Sequence, residues 1–154
     1  MNMLPIEQTT SRRLIRLGVL LFFLGLLSGL VVPMLSNPRM GLSSHLEGVM
    51  NGTFLVILGL IWSRLRLSRM VMLITSWIAI YGTYVNWATS LAAAAWGAGS
   101  SMMPIAGMGH KGSPFQEGII NFGLVSFALA ILLTCVVVLW GLRGADKPKS
   151  AESA

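Results

Sequence analysis

Residues 37–52 read Asn-Pro-Arg-Met-Gly-Leu-Ser-Ser-His-Leu-Glu-Gly-Val-Met-Asn-Gly, which puts a histidine, a carboxylate and an amide at the mouth of a long apolar run. Ionisable and amide groups are costly in lipid, so they are kept mainly where they face protein, a cofactor or a substrate. His45 is also the one histidine in or beside an apolar run, because His110 lies in a Gly-rich stretch. If this chain does chemistry, His45 is the first place to look for it.

The rest of the chain sets this stretch in a membrane. Of its 154 residues, 55% are hydrophobic and only 10% charged, and the mean hydropathy is +0.75. A soluble globular protein carries about a quarter charged residues. The charges sit in short breaks between four apolar runs, at about 17–35, 46–62, 70–95 and 119–142. Each approaches or exceeds the roughly 20 residues that cross a hydrocarbon core. The chain therefore reads as an all-α integral membrane protein, a four-transmembrane-helix bundle forming one domain over 1–144. Polar, disordered tails are expected at 1–11 and 145–154. The first run follows Arg12, Arg13 and Arg16, as a secretory signal would. Its apolar part is too long for one, and Pro33, Asn37 and Pro38 follow in place of a small-residue cleavage site, so it reads as a retained helix.

The net charge of +6 falls into three basic clusters: Arg12, Arg13 and Arg16; Arg64, Arg66 and Arg69; Arg143, Lys147 and Lys149. That distribution follows the positive-inside rule and is not a nucleic-acid signal. It puts both termini and the 63–68 turn in the cytoplasm (N-in/C-in), with the 36–45 and 96–118 loops outside. The loop at 96–118 is rich in Gly, Ser and Met, and is either a lid over the outer face or a plain connector. Cys135 lies inside the last run and reads as a packing residue, with no disulfide framework or haem-attachment motif around it. The ten methionines read as gap-fillers.

Gly18, Gly25 and Gly29, Gly48, Gly52 and Gly59, and Gly118 and Gly123 fall on helical spacings. Small residues let helices approach closely in membranes, and most of these glycines read that way. His45, Gly48 and Gly52 nonetheless share one helix face. A ligating histidine above a groove without side chains would leave room for a flat macrocycle such as haem. Asn51, Tyr81, Tyr84, Asn86, Gln116, Glu117 and Asn121 are expected to converge with His45 on one polar layer near the outer leaflet, as in bundle ligand sites. Against this, Tyr84, Trp87 and Trp96 suit an interfacial belt. Glu47 and Glu117 suit solvated helix starts, and Asn51 and Asn121 suit interhelical hydrogen bonding. His45 and Asn51 are six residues apart, roughly 120° around a helix. They therefore serve two faces, or two copies of a site at a subunit interface. Four short helices with little interior room favour the second, and with it an oligomer.

From about Arg13 to Leu142, and most closely over 37–54, the chain resembles the hydroxylaminobenzene mutase family of small bacterial membrane isomerases. The resemblance implies a multi-pass protein of the bacterial inner membrane, active in nitroaromatic degradation. Such enzymes move the hydroxyl of an aryl hydroxylamine from nitrogen to the ring, giving 2-aminophenols. The chain is more distantly similar to styrene oxide isomerase, a four-helix family holding b-type haem between the subunits of a trimer with ferric iron as Lewis acid. That family's haem-ligating histidine precedes a substrate-binding asparagine by six residues, matched here by His45 and Asn51. The resemblance implies His45 as metal ligand beside Gly48 and Gly52, Asn51 as the residue orienting a small aromatic hydroxylamine, and a homotrimer. The family's aspartate and tyrosine on helix three have no secure counterpart; Tyr81, Tyr84 and Asn86 occupy the region, with Tyr81 or Tyr84 as proton donor.

Three other functions compete. A proton-coupled exporter needs a carboxylate deep in a span, and Glu47 and Glu117 read as lying at helix mouths. A bis-histidine cytochrome subunit needs pairs of intramembrane histidines, and here there is one. A non-catalytic accessory subunit is opposed by the polar layer and the resemblance.

Overall fold

In the computed structural model, residues 5–143 are described, with side chains from residue 8 onward. They form helices α1 (Pro5–Val31), α2 (Pro38–Ile61), α3 (Arg69–Trp96), the short α4 (Pro104–Gly107) and α5 (Pro114–Leu142). The expected tail at 145–154 lies outside the described residues. Residues 5–11, expected as a disordered tail, are instead the first turns of α1. Ser11 ties them down by donating to the Gly59 carbonyl at 2.8 Å.

The helix starts follow from local capping. Asn37 caps α2, accepting from the Met40 amide at 3.1 Å, and Pro38 takes the first helical position, where its missing N–H costs nothing. Ser68 caps α3. Ser113 and Gln116 form a reciprocal capping box at α5, again with a proline just inside. These caps extend α2 and α5 beyond the apolar runs at 46–62 and 119–142. The 36–45 segment, expected as an outer loop, is therefore mostly helix. His45 lies seven residues after Pro38, about 10 Å along the axis, and not at the helix mouth.

Three stretches among the described residues, Gln8–Met34, Pro38–Arg64 and Pro114–Leu142, are long and apolar enough to cross a membrane. The expected run at 70–95 coincides with α3, which is long enough but is not one of these three stretches. Its Thr75, Ser76, Thr83, Asn86, Thr89 and Ser90 are buried against neighbouring helices.

Packing is closest between α1 and α2. A Cβ on Gly18 would lie 2.7 Å from the Gly52 carbonyl oxygen, and one on Gly25 would lie 2.7 Å from the Gly48 carbonyl carbon. Beyond this pair, α2 packs on α3 and α3 on α5, with a smaller contact between α1 and α3. One core cluster gathers Leu14, Leu21, Leu55, Leu58 and Trp62 with Met72 and Ala79. A second cluster of Met40, Ala93, Ala94, Ala98 and Ile120 lies under the 97–113 connection.

Candidate functional site

His45 belongs to the face that α2 turns to α1. Its Nδ1 lies 2.8 Å from the Gly25 carbonyl oxygen. The ring rests beside Gly29, where a Cβ would come within 2.7 Å of Nδ1. Any larger residue at 29 would push the imidazole aside. A carbonyl accepts but cannot donate, so Nδ1 is the donor and Nε2 is the nitrogen turned away from this bond. Nε2 makes no hydrogen bond among the described residues. His45 also lines an apolar groove of ≈ 650 Å³ with Phe23, Leu26, Leu30, Val32 and Pro33.

Gly48 and Gly52 do not extend this groove. The backbone of α1 closes over both, so that a Cβ on Gly52 would lie 2.7 Å from the Gly18 carbonyl oxygen. Within this chain their missing side chains bring two helices together. Gly118, also expected as a packing position, has nothing near it.

Asn51 turns away from His45, towards α3. Its Nδ2 donates to Glu47 Oε2 at 3.3 Å and to the Thr83 carbonyl at 3.5 Å. Asn86 Nδ2 donates to the same Glu47 oxygen. Two of the expected site residues, Asn51 and Asn86, thus meet at a carboxylate that was read as a solvated helix start. Glu47 and Asn51 stand four residues apart on one helix face, and that spacing was the sequence signal for the pair.

The tyrosines go elsewhere. The Tyr84 hydroxyl donates to the Leu17 carbonyl of α1 at 2.9 Å, and Trp87 donates from Nε1 to Ser28 at 2.9 Å. Both bind α3 to α1 in place of anchoring in an interfacial belt. Tyr81 is 45% exposed, and its hydroxyl donates to Ser126 of α5 at 3.1 Å. Hydrogen bonds therefore divide the single expected polar layer into several groups.

A separate group surrounds Glu117, which is buried and not solvated. Its Oε1 accepts from the amides of Gly99 and Gly112, each at 3.0 Å, and from that of Ser100 at 3.4 Å. Ser101 donates to Glu117 Oε2 at 3.4 Å and to Asn121 at 2.7 Å. Asn37 holds the same segment from below, donating to the Ala106 carbonyl at 3.0 Å. The 97–113 connection is tied to the ends of α2 and α5. Sequence gave no sign of this, because most of Glu117's partners are backbone amides that any residue could supply.

No group of three or more His, Cys, Asp or Glu that could hold a metal ion occurs among the described residues. Glu47 does place a carboxylate inside a span, as the exporter reading requires, although two amides hold it.

The model of a family described as styrene oxide isomerase matches residues 10–143. Hydroxylaminobenzene mutase HabB of Ectopseudomonas oleovorans is 51% identical over 143 residues, 93% of this chain and 87% of the relative. Hydroxylaminobenzene mutase HabA of the same organism is 44% identical over 125 residues, 81% of this chain and 93% of the relative. No solved structure matches the chain.

Proposed function

This chain belongs to the styrene oxide isomerase family and is a membrane isomerase; on that premise we propose that it converts aryl hydroxylamines such as hydroxylaminobenzene to 2-aminophenols, with ferric haem b bound at His45. Family membership ranks the exporter and accessory-subunit readings below this one. Substrate and product are isomers, so no external electron donor or acceptor is needed. The N–O bond breaks, a C–O bond forms at the ortho carbon, and the ring proton lost there, which restores aromaticity, is balanced by one gained at nitrogen.

The structural observation that supports the haem is the divided imidazole. Nδ1 is engaged by the Gly25 carbonyl at 2.8 Å, which orients the ring and leaves Nε2 as the nitrogen available to a metal. The apolar groove beside His45 suits a porphyrin edge. When bound, the group supplies a Lewis-acid iron that polarises the hydroxylamine oxygen without net electron transfer.

In this reading the chain's own residues orient the substrate and shield it from water. Asn51 hydrogen-bonds the hydroxylamine. Tyr81 or Tyr84 gives a proton towards the departing hydroxyl, each from a hydroxyl that rests on a neighbouring helix, on Ser126 and on the Leu17 carbonyl respectively. His45 faces α1 and Asn51 faces α3, so one haem between subunits, held by His45 of one protomer and facing Asn51 of the next, would unite them in a homotrimer. Four spans, with α3 sheltered between α2 and α5, and N-in/C-in in the bacterial inner membrane, agree with the basic clusters at 12–16 and 64–69.

The test is the absorption spectrum of the detergent-purified protein, together with its product from hydroxylaminobenzene under anaerobic conditions. A Soret band lost or shifted in His45→Ala, and 2-aminophenol formed without added reductant, are expected. A colourless protein that still makes 2-aminophenol would overturn the haem and keep the isomerase.

A further inference from the structure

We propose that Glu47 is a positioning residue for the rearrangement, fixing the Asn51 carboxamide so that Oδ1, and not the NH2 group, is presented to the hydroxylamine. This inference rests on the role given to Asn51 above.

A carboxamide has a donor end and an acceptor end, and only its partners decide which end faces which way. On the protein side of Asn51 stand two oxygens, Glu47 Oε2 at 3.3 Å and the Thr83 carbonyl at 3.5 Å, both within reach of Nδ2. Turning the amide over would set three oxygens against one another. Asn86 donates to the same Glu47 oxygen, which keeps that carboxylate turned towards the pair. Oδ1 of Asn51 takes no hydrogen bond among the described residues and remains free to accept. Aryl hydroxylamines carry N–H and O–H donors on the two atoms whose bond must break. An acceptor held beside them fixes the N–O bond relative to the ring. An epoxide, which has no donor, offers that oxygen nothing.

If Glu47 merely joined α2 to α3, any residue bonding Asn86 and Asn51 would serve. The two roles separate in a polarity swap. In Glu47→Gln the new amide accepts from Asn86 and can donate to Asn51, which lets the Asn51 carboxamide turn over. In Asn51→Asp two carboxylates face each other. In the double variant Glu47→Gln/Asn51→Asp, residue 47 accepts from Asn86 and donates to residue 51, whose second oxygen again faces outward as an acceptor.

The experiment measures kcat/KM for hydroxylaminobenzene, the ratio of 2- to 4-aminophenol, and the melting temperature of the oligomer in detergent. Each single variant is expected to lose roughly a hundredfold in kcat/KM, the scale of loss from misorienting a reacting group, and to make a larger share of 4-aminophenol. The double variant is expected to recover at least tenfold over either single, with the product ratio restored. A Glu47→Gln protein with wild-type kcat/KM and product ratio, or a double variant no better than the singles, overturns the inference. A wild-type protein that leaves hydroxylaminobenzene unchanged overturns the functional reading, and this inference with it.

Discussion

At His45 the two ring nitrogens have different employment, and that division reaches the site from two glycines on α1. Gly25 supplies the carbonyl that engages Nδ1, and Gly29 leaves the space in which the ring sits. Gly29→Val is therefore expected to displace the imidazole and shift or abolish the Soret band even though His45 is intact. An unchanged spectrum in that variant would show that the ring's seat does not matter. Asn86 makes a different prediction. Replacing it with Leu strips Glu47 of one of its two side-chain donors while leaving the helix surface apolar. Loss of a hydrogen bond to a half-buried carboxyl group costs about 1–3 kcal/mol, so Asn86→Leu should lower the thermal midpoint in detergent by several degrees. His45 and Asn51 were legible in the sequence because polar groups stand out in an apolar run. Glu47 stood open between a site group and a helix-start carboxylate for a physical reason: hydropathy begins this span at residue 46, whereas the Asn37 cap and Pro38 begin the helix eight residues earlier.

At the scale of elements, glycine spacing was legible as packing, but whether a given glycine faces a partner depends on helix orientation, which spacing does not reveal. Gly52 and Gly118 show the difference. A side chain at Gly52 meets the α1 backbone, so Gly52→Leu should separate α1 from α2 and destabilise the protein by about 1–3 kcal/mol or more, the range for forced overpacking. Gly118 has open space around it, and Gly118→Ala should be neutral or stabilising by up to about 1 kcal/mol through helix propensity alone. Thermal unfolding of the two variants side by side checks the assignment. The 97–113 connection adds a third element-scale expectation. Glu117→Ala removes the acceptor shared by Gly99, Ser100, Ser101 and Gly112. Protease added to the detergent-purified protein should then cut this segment several times faster than in the wild type, with the helices left whole. The lid and the plain connector were equally open readings of its composition, because its order comes from a carboxylate on another element.

Over the whole molecule, the apolar periods and basic clusters made an all-helical membrane protein legible, and they left its packing order hidden. α5 packs chiefly on α3, and α1 sits at the other side of the row. That arrangement leaves Phe122, Leu129, Leu132 and Val136 of α5 exposed to lipid or to a second subunit. Orientation can be read directly in a Cys135→Ser background. A membrane-impermeant maleimide applied to intact cells is expected to label Ser101→Cys and to spare Ser68→Cys until the membrane is opened. The reverse pattern would invert the topology. The central claim is that a membrane isomerase works through His45, and one comparison tests it most directly: turnover of hydroxylaminobenzene by wild type and by His45→Ala, both purified and shown to share one oligomeric state. The wild type should yield 2-aminophenol, and His45→Ala should retain less than about 1% of that rate, a loss beyond the roughly 10- to 100-fold that removing a residue supporting a metal ligand costs. A folded His45→Ala protein with undiminished turnover would contradict the account.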